Sequence, residues 1–238
     1  MNELTQIWTY LAEEPLLWLT ATLIAYSVGD AAFKASGRRP YVNPVLIAVT
    51  LLAVVLWMTA TPYQTYFEGA QFVHFMLGPA TVALAAPLYG NLSRIRRSAI
   101  PLICALLAGS VTAIFSALGV AYAMGLRGDI LVSIAPKSVT APVALGISES
   151  MGGQPTLTAV LVILTGVMGA VMATPLLDRL GVTDWRARGF AVGVASHGIG
   201  TARAFQVNET AGAFAGIGMG LNALLTTVLA PVIVSLFL

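Results

Sequence analysis

Five uninterrupted apolar runs, at roughly 15–33, 43–61, 98–124, 155–177 and 210–238, constrain this chain more than any other feature. A helix rises about 1.5 Å per residue, so about 20 apolar residues cross a hydrocarbon core of ~30 Å. In lipid every backbone N–H and C=O must be satisfied within the fold, which restricts spanning segments to helices or closed barrels. A barrel would show alternating segments of about ten residues, and the runs do not alternate. Only 9% of the 238 residues are charged and 58% are hydrophobic, with a mean hydropathy of +0.86. An ordinary globular chain carries about 25% charged residues, so too little polar surface remains here to cover a water-exposed globule. The chain reads as an all-α polytopic membrane protein.

Three further segments, roughly 70–90, 129–149 and 188–206, are apolar but interrupted. The first holds Gly78, Pro79 and Pro87, the second Pro136 and Pro142, the third Gly193, Gly198 and Gly200. About eight hydrophobic segments are therefore expected, several broken or re-entrant, in one domain over 1–238 whose short linkers leave no room for a soluble module. Cys104 is the only cysteine, which excludes an intrachain disulfide and a cysteine-based metal cluster. The net charge of +2 is too small to argue for nucleic acid. Glu3, Glu13 and Glu14 precede the first run without a basic residue, unlike a cleaved signal peptide, so residues 16–33 are expected to stay as a span.

Linker charge orients the segments. Lys34, Arg38 and Arg39 follow the first, Arg94, Arg96 and Arg97 the third, and Arg179, Arg186 and Arg188 the sixth. The positive-inside rule makes these three linkers cytoplasmic. The N-terminus, Glu68, the Arg127/Asp129 turn and Glu209 are assigned to the opposite side. For Arg127 to lie outside and Arg179 inside, the 129–149 segment must return to the side it entered from; the alternative is that the rule fails at one linker, and the re-entrant reading is favoured. An internal repeat points the same way. Gly78-Pro-Ala-Thr81 and Gly198-Ile-Gly-Thr201 are 120 residues apart, each with a histidine just upstream (His74, His197). Halves 1–121 and 122–238 would then form an inverted repeat, an arrangement of secondary transporters that puts the site at the repeat interface.

The chemistry concentrates in Ser133-Ile-Ala-Pro-Lys-Ser-Val-Thr-Ala-Pro-Val-Ala-Leu145. A lysine at the centre of a membrane helix costs roughly 2.5–3.5 kcal/mol on insertion scales, and broken backbone at that depth is tolerated only where it is buried in protein or lines a cavity. Lys137 and Arg203 are the cations set within apolar segments, and Glu149 is twelve residues from Lys137, about 18 Å along a helix. Uncompensated positive charge points to an anionic solute, with Arg203 clamping a carboxylate and Lys137 acting as a point charge. Snorkelling, or structural pairing with Glu149, Glu209 or Asp30, is the blander account. Thr81, Ser138, Thr140, Ser196 and Thr201 place hydroxyls beside chain breaks, where exposed helix N-termini favour anions. Interhelical bonding is the other account of such hydroxyls. Gly78, Gly198 and Gly200 allow close backbone approach, and Pro142 follows Thr140. His197, His74 and Glu149 are candidates for proton coupling. Two histidines so far apart make no metal-ligand spacing, and Asn222 reads as a packing residue between helices. No nucleophile–base–acid set is motivated, so neither an enzyme nor a cofactor is expected.

Four stretches together resemble one family: Leu77-Gly-Pro-Ala-Thr-Val-Ala-Leu-Ala-Ala-Pro-Leu-Tyr89, Pro136-Lys-Ser-Val-Thr-Ala-Pro142, Gly146-Ile-Ser-Glu149 and Ala195-Ser-His-Gly-Ile-Gly-Thr-Ala-Arg203. The chain is identified by them as a member of the LrgB/CidB/YohK family, over essentially its whole length. That family includes bacterial antiholin-like proteins and the C-terminal half of the plastidal glycolate/glycerate translocator. The resemblance implies a multi-pass protein of the bacterial inner membrane, a small LrgA/CidA-type membrane partner and a homodimer. It also implies a distant likeness to the cation/proton antiporter and bile-acid symporter group. Two functions stay open: transport of small monocarboxylates or 2-hydroxy acids such as glycolate, glycerate or lactate, and antiholin-like control of murein hydrolase export. In the first, Lys137, Arg203 and the Thr81 and Thr201 breaks bind the carboxylate, while Ser138, Thr140 and Thr81 read the hydroxyl.

Overall fold

The computed structural model describes residues 14–39, 41–76, 79, 89–90 and 92–238. The side chains of His74, Arg94 and Ile95 fall outside that description, as do Gly78 and Thr81 altogether. Backbone packing divides the chain into two units, residues 1–80 and 81–238.

The first unit contains α1 (Pro15–Ala35), α2 (Pro44–Thr59) and α3 (Tyr63–Phe75). Asn43 caps α2, its Oδ1 accepting from the amides of Val45 and Leu46, and Pro44 occupies the first turn, where no N–H is needed. A Cβ on Gly29 would lie 2.5 Å from the Pro44 carbonyl, so only glycine lets α1 and α2 approach this closely. Trp18 of α1 is buried and meets Tyr66 of α3 edge-on at 5.8 Å.

The second unit contains α4 (Leu92–Arg97), α5 (Ala99–Ala123), α6 (Asp129–Ile134), α7 (Ala141–Ser150), α8 (Pro155–Arg179), α9 (Trp185–Val207) and α10 (Glu209–Val234). Among the described residues α1, α5, α8 and α10 are long and apolar enough to cross a membrane, and α2 is a shorter apolar helix. These five helices correspond to five of the eight expected segments; segment 70–90 falls largely outside the described residues, and the other two interrupted segments turn back.

The first of these is α6–α7. Gln154, at the start of α8, donates its side-chain amide to Asp129 Oδ2 at 2.7 Å, and its backbone N–H to Ser133 Oγ at 2.7 Å. Asp129 opens α6 and Ser150 closes α7 four residues before Gln154, so both arms of this hairpin end at the same place. Thr158 on α8 fastens them, with its Oγ1 within hydrogen-bond distance of Ser133 O (3.0 Å) and Ser148 Oγ (2.7 Å). Segment 129–149 thus returns to the end it started from, the arrangement that the linker charges favour.

The second is α9. Helical geometry breaks at Ser196 (φ −133°, ψ 16°) and His197 (φ 41°, ψ −139°). A Cβ on Gly189 would collide with the Ala211 carbonyl, and one on Gly193 with the Ala215 carbonyl. Pairs 189/211 and 193/215 advance together, so the first arm of α9 runs parallel to α10. The second arm runs antiparallel to α10: Thr201 reaches Met219 Sδ at 3.8 Å, while Phe205 lies against Gly212. Residues 198–207 must therefore come back along 185–195. This corrects the expectation for Glu209, which shares its end of the unit with Arg186 instead of facing away from it. The two hairpins enter from opposite ends: Phe237, just past α10, packs on Tyr122 at the far end of α5, and Leu131 of α6 clusters with Ile233.

The 120-residue repeat rests partly on Gly78 and Thr81, outside the described residues. What the second unit shows is hairpin then long helix, twice, in opposite senses: 129–179 and 185–234.

Candidate functional site: two hairpin tips

The tip of the first hairpin is the non-helical run Ala135–Thr140. Pro136 lies within it. Pro142 occupies the first turn of α7, where a missing N–H costs nothing, so it starts a helix instead of breaking one. Thr140 is the N-cap of α7, but its side chain makes no capping bond. Its residue is 8% exposed, and its Oγ1 is fully buried without a hydrogen-bond partner. Three residues earlier, half-buried Lys137 holds its Nζ 3.3 Å from Ser138 Oγ, and no carboxylate among the described residues lies within ion-pair distance of it.

The tip of the second hairpin is Ser196–His197. His197 is 3% exposed and its Nε2 lies 2.8 Å from the Val162 carbonyl of α8. A non-glycine residue at φ 41° costs of order 1–3 kcal/mol, so its surroundings must hold it there. They do: Cβ atoms on Gly166 and Gly169 of α8 would run into His197, Ile199 and Ser196, so these glycines form the slot that receives the tip. The two tips lie in one neighbourhood, because a single side chain bonds to the backbone at both.

Asn222 ties them. It is 1% exposed in the middle of α10, and its Nδ2 donates to Ser138 O of the first tip (3.3 Å) and to Val194 O beside the second (3.0 Å). Its Oδ1 accepts from Ser110 of α5 (2.6 Å) and from Thr226 (3.2 Å). Packing was the reading for Asn222 from its sequence, and that missed a polar junction. Gly216, Gly218 and Gly220 just before it were the available signal.

Other expected site residues are dispersed. Thr201 donates to its own helix at His197 O, and Gly200 packs against Ser196 and Val192 of the opposing arm. Gly198 faces Met219. Arg203 is not brought to Lys137: it lines a narrow cleft at the base of the second hairpin with Trp185 and Arg188, and its Nη1 reaches Gln206 at 3.3 Å. Glu149 is exposed near the outer end of α7, about 12 Å of helical rise from Ala141. The sequence reading also missed Arg188, counted there only as linker charge. It is buried, pairs with Asp178 Oδ1 at 2.6 Å, donates to Val182 O at 3.1 Å and lies over the Trp185 ring, riveting α8 to the first arm of α9.

Two apolar cavities flank that arm. One of about 460 Å³ lies between α5 and α9, from Asp184 and Arg186 at its mouth past Phe190 to Val194 and Ala195. The other, about 310 Å³, lies between α8 and α9 and ends at Ser196. At the mouth, the hydrogen bond from the Arg186 guanidinium holds the Asp184 carboxyl down at about 2.

The second unit thus defines a class: a helical membrane protein whose broken backbone is gathered where two opposed hairpins meet. The particular family follows from comparison. The LrgB-like family matches residues 22–236, and the chain belongs to that family. Holin-like protein CidB of Staphylococcus epidermidis is 33% identical over 227 residues, 94% of this chain and 97% of that protein. Uncharacterized protein YxaC of Bacillus subtilis is 36% identical over 198 residues, 83% of this chain and 86% of that protein. Holin-like protein CidB of Staphylococcus aureus is 31% identical over 224 residues, again 94% and 97%. No solved structure matches the chain.

Proposed function

We propose that this protein is a secondary transporter of small monocarboxylates, of the glycolate, glycerate or lactate type, in the bacterial inner membrane. The observation that carries the reading is Thr140, a buried hydroxyl with no partner at the start of a ten-residue helix. A buried hydroxyl left unsatisfied costs about 1–3 kcal/mol, which a bound ligand recovers. The first-turn amides of α7 carry the positive end of the helix dipole, and Lys137 adds a full charge within the same tip. The ligand suited to that set is a small anion with a hydroxyl beside it. His197 is then the candidate proton-coupling group at the tips, and Arg203 stands at the hairpin base, in the position of an entry residue. The pairs 129–179 and 185–234 would be the inverted halves of one core that carries the site across in alternating access.

A second reading takes its support from the holin-like naming of the staphylococcal relatives. On it, the chain is a holin-like membrane protein that acts by assembly, with itself or with the small partner that the family resemblance implies, and Lys137 is dispensable. Uptake of labelled glycolate and lactate into proteoliposomes separates the two. Transport predicts saturable uptake that falls at least about tenfold in Lys137→Ala, an effect of about 1.4 kcal/mol. No uptake by wild type, with or without a partner, would sink the transporter reading, and leakage of a neutral dye unaffected by Lys137→Ala would favour the holin-like one.

A further inference from the structure

We propose that Asn222 is a positioning residue that sets the separation of the two hairpin tips, so that both walls of the site move as one. The inference rests on the transporter reading for its functional consequence, but not for its geometry. A carboxamide offers two donor hydrogens and an acceptor oxygen with two lone pairs, and Asn222 uses all four. The bonds also fix which way it points. Ser138 O and Val194 O can only accept, so the nitrogen must face them, while the Ser110 and Thr226 hydroxyls supply the oxygen.

The two carbonyls need this donor. Val194 O sits among the last carbonyls of an arm that breaks at Ser196, and Ser138 O belongs to a tip with no helix of its own. Both carbonyls lie at chain breaks, where helical partners are missing. Among the described residues no other side chain bonds to the backbone of both tips. The first hairpin is otherwise fastened to α8 through Thr158, and the second to α10 through Gly189 and Gly193 and to α8 through His197 and Arg188, but none of these contacts bonds to the backbone of both tips. Asn222 therefore crosses from one hairpin–helix pair to the other.

The test places spin labels at Gly146→Cys and Ala195→Cys, both exposed, in a Cys104→Ala background and measures their distance distribution by pulsed electron resonance. A single narrow distribution is expected for the parent and for Thr227→Val, a control on the exposed face of α10. Asn222→Asp replaces the donor by an acceptor facing two carbonyl oxygens, and a broader, longer distribution is expected. If that variant cannot be purified, the Ser110→Ala/Thr226→Val pair, which strips away both groups that orient the amide, carries the same expectation. A distribution as narrow as the parent's overturns the proposal in either case. In proteoliposomes Asn222→Asp should raise KM about tenfold or more and change kcat by less than about threefold, the signature of lost positioning in the ground-state site. A wild type that transports nothing defeats the transporter reading and leaves the distance measurement to decide the inference.

Discussion

Thr140 and Asp184 show how single side chains in this protein do opposite things at helix starts. Asp184 caps α9 in the ordinary way, accepting from the Arg186 amide at 2.8 Å and pairing with the Arg186 side chain. Its carboxyl is held below the ordinary 3.8, at about 2. A depressed folded-state value means that its stabilisation is complete above the ordinary value and is lost as pH falls through about 2. Detergent-solubilised protein should therefore show a flat unfolding midpoint from neutrality to about pH 5, then a decline that is shallower in Asp184→Asn. Thr140 caps nothing. Thr140→Val removes a buried hydroxyl that has no partner, so the folded state should be unchanged or up to about 1 kcal/mol more stable. Anion uptake should fall nonetheless. Thermal unfolding beside uptake checks the pair of signs; a loss in both would return Thr140 to a structural role.

At the scale of elements, glycine placement decides how close the hairpins come to their helices. Gly193 lies against the Ala215 backbone, and neither side can yield. Gly193→Ala should cost about 1–3 kcal/mol of stability by overpacking. Gly146, on the exposed side of α7, has open space where a Cβ would sit. Gly146→Ala should instead gain about 0.5–1 kcal/mol through helix propensity. Chemical denaturation in one detergent compares them. These positions look alike in the sequence, each a glycine in an apolar stretch. What separates them is the neighbour, and the neighbour lies twenty or more residues along the chain.

For the whole molecule, the hairpins set which loops share a side of the membrane. Cysteines at Arg127 and Ser150 should label from one side, and those at Arg186 and Gln206 from the other, all in Cys104→Ala. Labelling of Arg186→Cys and Gln206→Cys from opposite sides would mean that α9 crosses, and the fold described for the second unit would be wrong. The expectation for Glu209 went astray because positive-inside counting sees charge only at segment ends, and α9 has the length of a span. Its first arm covers only eleven residues before the break, about 16 Å of rise and half a bilayer.

By itself the sequence determined that the chain is helical and lies in a membrane, because twenty-residue apolar runs with almost no charge have no other stable state. It also marked residues 133–145 as a candidate site, because a lysine and two prolines there must be compensated, and favoured a turn back in this segment, because the alternative is a linker that breaks the positive-inside rule. Only the tertiary structure decided that α9 turns back as well. That turn depends on one histidine held at positive φ by a slot of glycines on α8, and no local pattern encodes such a conformation for a non-glycine residue. The tertiary structure also set Arg203 apart from Lys137 and made Asn222 the junction of both tips. A buried amide is bland in sequence, and it acquires a role only when two broken backbones arrive from opposite ends with carbonyls that need its hydrogens.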